Sequence, residues 1–247
     1  MKIQIQAAGL LAAITVASAV AAPAFAQDAV WTGEGSFGAG VTTGNTETSD
    51  LGLGLKLGRQ AGDWKLSLQA LADYGKTEGV ETKNRIFGAV QADRDFSERL
   101  YGLGRVSYER DEFSGFESRA FAGVGLGYRV IVSEPTKWAV EIAPGVRYDQ
   151  TRDTLLVQGD SETGFSVIGA SKFAHAFNDN VKLTNDTTVT WADTSTQIVN
   201  TLAVTAALTG ALSARASYDV RHDTDAPAGF DKTDTVTRVS LVYAFGK

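Results

Sequence analysis

The segment Trp138–Tyr148 sorts its side chains onto two faces. Trp138, Val140, Ile142, Pro144, Val146 and Tyr148 fall on one; Ala139, Glu141, Ala143, Gly145 and Arg147 fall on the other. A strand points successive side chains to opposite faces. The segment therefore predicts a strand with a polar face and an apolar face that is closed at each end by an aromatic ring. A strand crossing an outer membrane, with lipid outside and water inside, has this pattern. The same alternation recurs from Val30 to Phe245, with turn residues between segments, and predicts about twelve strands. Outward apolar sets include Leu51, Leu53, Leu55 and Leu57; Trp64, Leu66, Leu68 and Tyr74; and Val239, Leu241, Tyr243 and Phe245. The phases around Ile86–Ala92, Leu100–Tyr108 and Leu202–Leu208 are ambiguous, and Asn185 falls among the outward positions of its segment, against that register.

Links and rings add to this. Links after odd-numbered segments, at Gly75–Asn84, Arg110–Ser118, Gln150–Thr163 and His222–Asp234, are mostly long, whereas those at Arg59–Asp63, Ser133–Lys137 and Thr209–Ala211 are short. Short periplasmic turns and longer external loops are what a bacterial barrel has. Trp31, Trp64, Tyr128, Trp138, Phe173, Tyr243 and Phe245 fall at the short-turn ends of the apolar faces, and Tyr74, Tyr108, Tyr148, Trp191 and Tyr218 near the opposite ends. Trp64 to Tyr74 and Trp138 to Tyr148 span ~23 Å at ~3.3 Å per residue and ~45° tilt, close to the ~25 Å apolar band of such barrels. A soluble β-sandwich also alternates. It needs neither rings at both ends of the apolar face nor links that alternate in length. The fold expected is an all-β, up-and-down antiparallel transmembrane β-barrel.

Composition refines the picture. Met1–Ala26 has Lys2, the apolar run Leu10–Ala22 and then Ala24-Phe25-Ala26. A basic start, a short apolar middle and small residues before the cut predict a secretory signal peptide over 1–26 and a barrel domain over 27–247. An N-terminal membrane anchor is the alternative, and the apolar run is short for one. Cysteine is absent, which excludes disulfides and Cys-ligated metals. The net charge of −6 becomes −7 without Lys2, and argues against nucleic acid as a partner. The 26 glycines against 4 prolines suit a protein with many tight β-turns.

Two stretches carry a resemblance. One runs Trp31-Thr-Gly-Glu-Gly-Ser-Phe-Gly-Ala-Gly-Val-Thr-Thr-Gly-Asn45-Thr-Glu-Thr; the other is Asp111-Glu-Phe-Ser-Gly-Phe with Arg119 and Gly123-Val-Gly-Leu-Gly-Tyr128-Arg. Both resemble the salt-induced outer membrane proteins of the YdiY-like family, a domain of unknown function, and the similarity runs over most of the chain after Ala26. The resemblance implies an outer-membrane β-barrel and a role in salt or osmotic stress. It supplies no reaction and no ligand, so no residue's role is carried over.

Candidate chemistry is concentrated on the inward phase. Lys56, Asp73, Arg105, Arg129, Glu141, Arg147, Arg215, Asp219 and Arg238 are the main candidate lumen-lining residues, with Glu34, Asp93, Asp149, Lys172, Lys182, Asp186 and Arg221 beside them. Mixed signs fit either a solute pathway or ion pairs bracing the interior, since buried charges need partners. A single-sign stripe, as an ion-selective pore requires, is lacking. Inward glycines at Gly52, Gly54, Gly58, Gly123, Gly125 and Gly127 leave room for a ligand, an infolded loop or neighbouring side chains. Gly123-Val-Gly-Leu-Gly is no dinucleotide fingerprint, because no helix follows.

No enzyme, catalytic residue, cofactor or metal is expected. His175 and His222 are the only imidazoles, and they fall at opposite ends of the strands. A membrane lipid hydrolase would need a serine beside one of them; His222 is the only candidate, with the serine unassigned. Acidic residues in the longer links (Glu47 and Asp50; Glu78 and Glu81; Asp111 and Glu112; Asp153, Asp160 and Glu162; Asp223, Asp225, Asp231 and Asp234) could hold Ca²⁺, but lack EF-hand or related repeat spacing. The C-terminal run ending Tyr243-Ala-Phe245-Gly-Lys247 resembles a signal read by the barrel-assembly machinery, displaced by two residues. The reading is a monomer in contact with outer-membrane lipid and lipopolysaccharide of a Gram-negative envelope, structural or a narrow small-solute channel. A substrate-specific porin-like channel and the lipid hydrolase are the alternatives.

Overall fold

A computed structural model describes residues 30–43, 48–153 and 158–246. The expected signal peptide lies outside the described residues. Twelve antiparallel strands follow one another: β1 (Val30–Thr43), β2 (Thr48–Ala61), β3 (Trp64–Thr77), β4 (Val80–Asp95), β5 (Leu100–Asp111), β6 (Phe116–Ile131), β7 (Thr136–Thr151), β8 (Ser161–Ala176), β9 (Val181–Ala192), β10 (Thr196–Ala207), β11 (Leu212–Asp223) and β12 (Thr233–Phe245). Each pairs with its sequence neighbours, and β12 pairs with β1, so the sheet closes on itself. Closure leaves no open edge to template pairing with other chains.

Outward positions are apolar: Leu53 is 57 % exposed, Ile142 58 % and Leu241 52 %, whereas Glu141 and Arg147, which alternate with them, are 8 % and 4 % exposed. The alternation of Trp138–Tyr148 is thus the inside–outside alternation of β7. Exposed rings stand near both ends of the outer face, among them Trp31, Tyr128, Trp138 and Tyr243 at the short-turn end and Tyr74, Tyr108, Trp191 and Tyr218 at the other.

The long-loop end differs from expectation in one respect: the strands run further. Gly75–Asn84 is almost all strand, closed by a two-residue turn at Glu78 and Gly79, both with positive φ. That geometry matches the right-handed twist of the flanking strands, and glycine adopts it without steric cost. The other links described at this end are 112–115, 193–195 and 224–232, with 152–153 and 158–160 of the β7–β8 link, and the described short turns are 62–63, 96–99, 132–135, 177–180 and 208–211.

Pro144 sits mid-strand in β7, where it cannot donate to a ladder. The β6–β7 pairing skips there, from Gly123↔Gly145 to Leu126↔Ile142. The backbones come close at this point. A Cβ added to Gly125 would lie 2.6 Å from Ala143 Cα and 2.8 Å from the Ile142 carbonyl carbon.

Candidate functional site: the barrel interior

The interior holds three zones. Nearest the long-loop end, charged side chains form a chain of ion pairs. Asp50 on β2 lies 3.4 Å from Lys83 on β4 and 2.7 Å from Arg238 on β12. Arg238 is also 2.7 Å from Asp73 on β3, which lies 3.2 Å from Arg85 on β4. Arg85 is 3.0 Å from Glu109 on β5. Glu109 in turn binds Arg221 on β11, which is 3.5 Å from Asp111 on β5. Beside this chain, Arg119 on β6 lies 2.5 Å from Asp223 on β11 and 3.5 Å from Asp149 on β7, and Asp149 is 2.6 Å from Arg147.

In the closed ring β5 and β11 are six strands apart in either direction, on opposite walls. The Glu109–Arg221 pair therefore spans the bore. The two groups of ion pairs contain Asp50, Asp73, Glu109, Asp111, Asp149 and Asp223 against Lys83, Arg85, Arg119, Arg147, Arg221 and Arg238. Their charges cancel, so this layer has no single-sign field to select an ion.

The mouth above it is crossed by loop 224–232. Pro227 and Phe230 pack on Gly115 of the β5–β6 link, where an added Cβ would be 2.7 Å from Pro227 Cδ and 3.1 Å from Phe230 Cδ2. Arg152 ties the β7–β8 link to the same place, donating from its backbone to Gly115 O at 3.0 Å and from its side chain to Ser114 O at 3.0 Å and Asp111 O at 2.6 Å. Arg147 likewise holds the 193–195 link, through Ser195 Oγ at 2.8 Å and Thr194 Oγ1 at 3.1 Å.

The second zone is apolar. Tyr101, Leu103, Phe121, Ala143 and Ile168 form a buried cluster along the inner wall of β5–β8. Glu141 sits at its polar edge, accepting from Tyr101 Oη at 2.8 Å, Gln91 Nε2 at 3.1 Å and Lys172 Nζ at 2.7 Å. The third zone is a chamber of about 760 Å³ at the short-turn end, lined by Glu34, Lys182, Thr184, Thr205, Arg215 and the 177–180 turn, among others. Arg215 donates two bonds of 2.9 Å to the two oxygens of Glu34, and Lys56 lies 3.8 Å from the same carboxylate. Glu134, also at this rim, bonds Lys137 at 2.5 Å, and the bond together with the lysine's charge holds its carboxyl below the usual range.

The remaining sequence candidates are spread among these zones. Arg105 reaches Gln91 Oε1 at 3.3 Å, Arg129 reaches Asp95 at 2.6 Å and stacks 4.7 Å from the Tyr101 ring centre, and Asp219 accepts from Thr201 Oγ1 at 2.5 Å. The inward glycines give room to side chains: an added Cβ at Gly52 would lie 2.6 Å from Arg238 Cζ, and one at Gly127 would enter the Tyr101 ring. The two imidazoles bond threonines, His175 to Thr136 Oγ1 and His222 to Thr233 Oγ1, each at 2.8 Å. No group of three or more metal-ligating His, Asp or Glu side chains occurs among the described residues.

The chain belongs to the family described as protein of unknown function DUF481. The match covers residues 35–245, which takes in nearly all of the barrel. Among solved structures the chain is similar to the NanC porin, at 13 % identity and a TM-score of 0.55 over 85 % of this chain and 98 % of that one. It is also similar to the translocator domain of the autotransporter NalP from Neisseria meningitidis, at 14 % identity and a TM-score of 0.50 over 96 % and 98 %. At these identities the likeness concerns the fold, that of outer-membrane barrels. No curated protein matches the chain.

Sequence reasoning missed much of the first zone. The inward candidates leave out Lys83, Arg85, Glu109 and Arg119, and the sequence pattern places Asp50, Asp111 and Asp223 in loops. All seven lie within strands and pair inside the barrel. Carrying the inward phase of Ala89, Gln91 and Asp93 back along β4 would have found Lys83 and Arg85. The apolar cluster was missed as well, because Leu100, Tyr101 and Leu103 place apolar groups on both phases of β5.

Proposed function

We propose that this chain is a narrow small-solute channel of a Gram-negative outer membrane whose resting form is shut. The membrane setting is supported by the apolar outer face, the two rings of exposed aromatics and the fold shared with outer-membrane barrels. The long-loop end then faces outward and the 760 Å³ chamber opens to the periplasm. The observation that carries the closed state is the Glu109–Arg221 pair joining opposite walls above that chamber. Ion pairs can separate and reform without unfolding the wall, which a packed apolar plug cannot do.

Lipid and lipopolysaccharide are the surroundings this reading requires, and the barrel-assembly machinery is its insertion partner, with β12 and its terminal Phe245 as the segment offered. A part in adaptation to salt or osmotic stress rests on the sequence resemblance.

Conductance across a planar bilayer tests the channel. Wild type is expected to pass little steady current, and the double substitution Arg119→Ala with Arg221→Ala, which removes both links to β11, is expected to open it. A folded double variant as tight as wild type would leave a purely structural barrel.

A further inference from the structure

Between the two aromatic rings the described outer face is mainly apolar or glycine, and side-chain amides stand on it in one place. There Ser171 on β8, Asn185 and Thr187 on β9 and Asn200 on β10 form a contiguous polar patch. Its depth follows from the pairing. The row Trp138–Phe173–Asn185–Leu202–Tyr218 runs from the short-turn ring to the long-loop ring, with Asn185 at its centre. In the membrane reading, on which this inference rests, the amide lies in hydrocarbon, where a polar group without a partner is costly.

The patch satisfies itself only in part. Asn185 Nδ2 donates to Asn200 Oδ1 at 3.3 Å; Asn200 Nδ2 donates to Asn185 Oδ1 at 3.3 Å and to Thr187 Oγ1 at 2.7 Å. An amide nitrogen carries two hydrogens and its oxygen accepts two bonds. Both hydrogens of Asn200 are used. Asn185 retains one N–H, and Asn200 Oδ1 retains one acceptor position. The wall beside them is low: Gly169, outward on β8, has no heavy atom within 4 Å of where a Cβ would stand.

We propose that this patch is the interface through which two copies of the chain associate in the membrane. A spare donor and a spare acceptor on one patch are complementary to the same patch turned by a two-fold axis. Each Asn185 N–H would then meet the Asn200 oxygen of the other copy, and both residual groups would be paired. Acyl chains offer no such partner, and the patch carries no charge that would call for a partner of opposite sign. The sequence reading expects a monomer, and the experiment below decides between the two.

The absence of cysteine makes the test direct. Leu202→Cys places a thiol at the patch, and Ala72→Cys places one on the outer face of β3, the opposite wall from β9. Each full-length variant is reconstituted into phospholipid vesicles at low protein density, checked for heat-modifiable migration as a folded barrel, and oxidised with copper phenanthroline. Cross-linked dimer is expected from Leu202→Cys and not from Ala72→Cys. Adding Asn185→Leu and Asn200→Leu is expected to weaken dimerisation about tenfold, the effect of losing two modest hydrogen bonds in a bilayer. Equal cross-linking at the two positions, none at either, or dimer that survives both leucines would overturn the proposal. The readout needs no current, so a barrel that never conducts leaves it intact.

Discussion

At the residue scale, Glu109 holds the closed interior together. Its carboxylate neutralises Arg85 on the neighbouring strand and Arg221 on the far wall. A buried ion pair returns little net stability over well-packed apolar groups, but removing one partner strands the other without compensation. Glu109→Gln keeps the shape and deletes the charge between two guanidiniums, which are left with one carboxylate each, Asp73 for Arg85 and Asp111 for Arg221. It is expected to cost about 3 kcal/mol, seen as a lower urea midpoint for the barrel refolded in detergent. Adding Arg221→Met should restore part of that loss, because one of the two guanidiniums that shared Glu109 is gone. The sequence exposed this network only in pieces. Asp73, Arg221 and Arg238 were legible because they alternate with clear apolar runs. Glu109, Asp111 and Asp223 lie beyond the apolar band, where inward charge faces outward polar side chains and alternation no longer tells a strand from a loop.

At the scale of elements, the existence of each strand was legible and its far end was not. Apolar contrast marks the length of strand whose outer face is apolar, and β3, β4, β6 and β7 all continue past it. One contact between elements depends on a single small residue. Pro144 withholds a donor, and the β6–β7 ladder is interrupted where Gly125 lets the backbones approach. The atoms a larger residue would meet at Gly125 belong to the backbone of Ile142 and Ala143, which cannot rotate away. Gly125→Val is therefore expected to part β6 from β7. On unboiled gels it should show a smaller fraction of the fast-migrating folded band than wild type. Gly52→Ala is expected to be milder, because its added methyl meets the movable guanidinium of Arg238.

For the whole molecule, two layers close the long-loop end, and they differ in kind. Loop 224–232 lies over the mouth with Pro227 and Phe230 on Gly115, and beneath it Arg119 and Arg221 of the wall grip Asp223, Glu109 and Asp111. The upper layer is a surface loop with few anchors, the kind of segment that opens locally at low free energy. The lower layer joins strands within a closed sheet, and its release requires paired charges to separate in a confined space. In the proposed channel the barrier to solute therefore belongs to the lower layer. Replacing 225–231 with a short Gly-Ser linker is expected to leave bilayer conductance at the wild-type level, since Asp223 and Arg221 remain. The same replacement in the Arg119→Ala, Arg221→Ala background is expected to raise conductance above that of the double variant, because the loop still covers part of the mouth once those ion pairs are gone. If shortening the loop alone opened the channel, the ion pairs would be bracing the wall and the loop would be the gate.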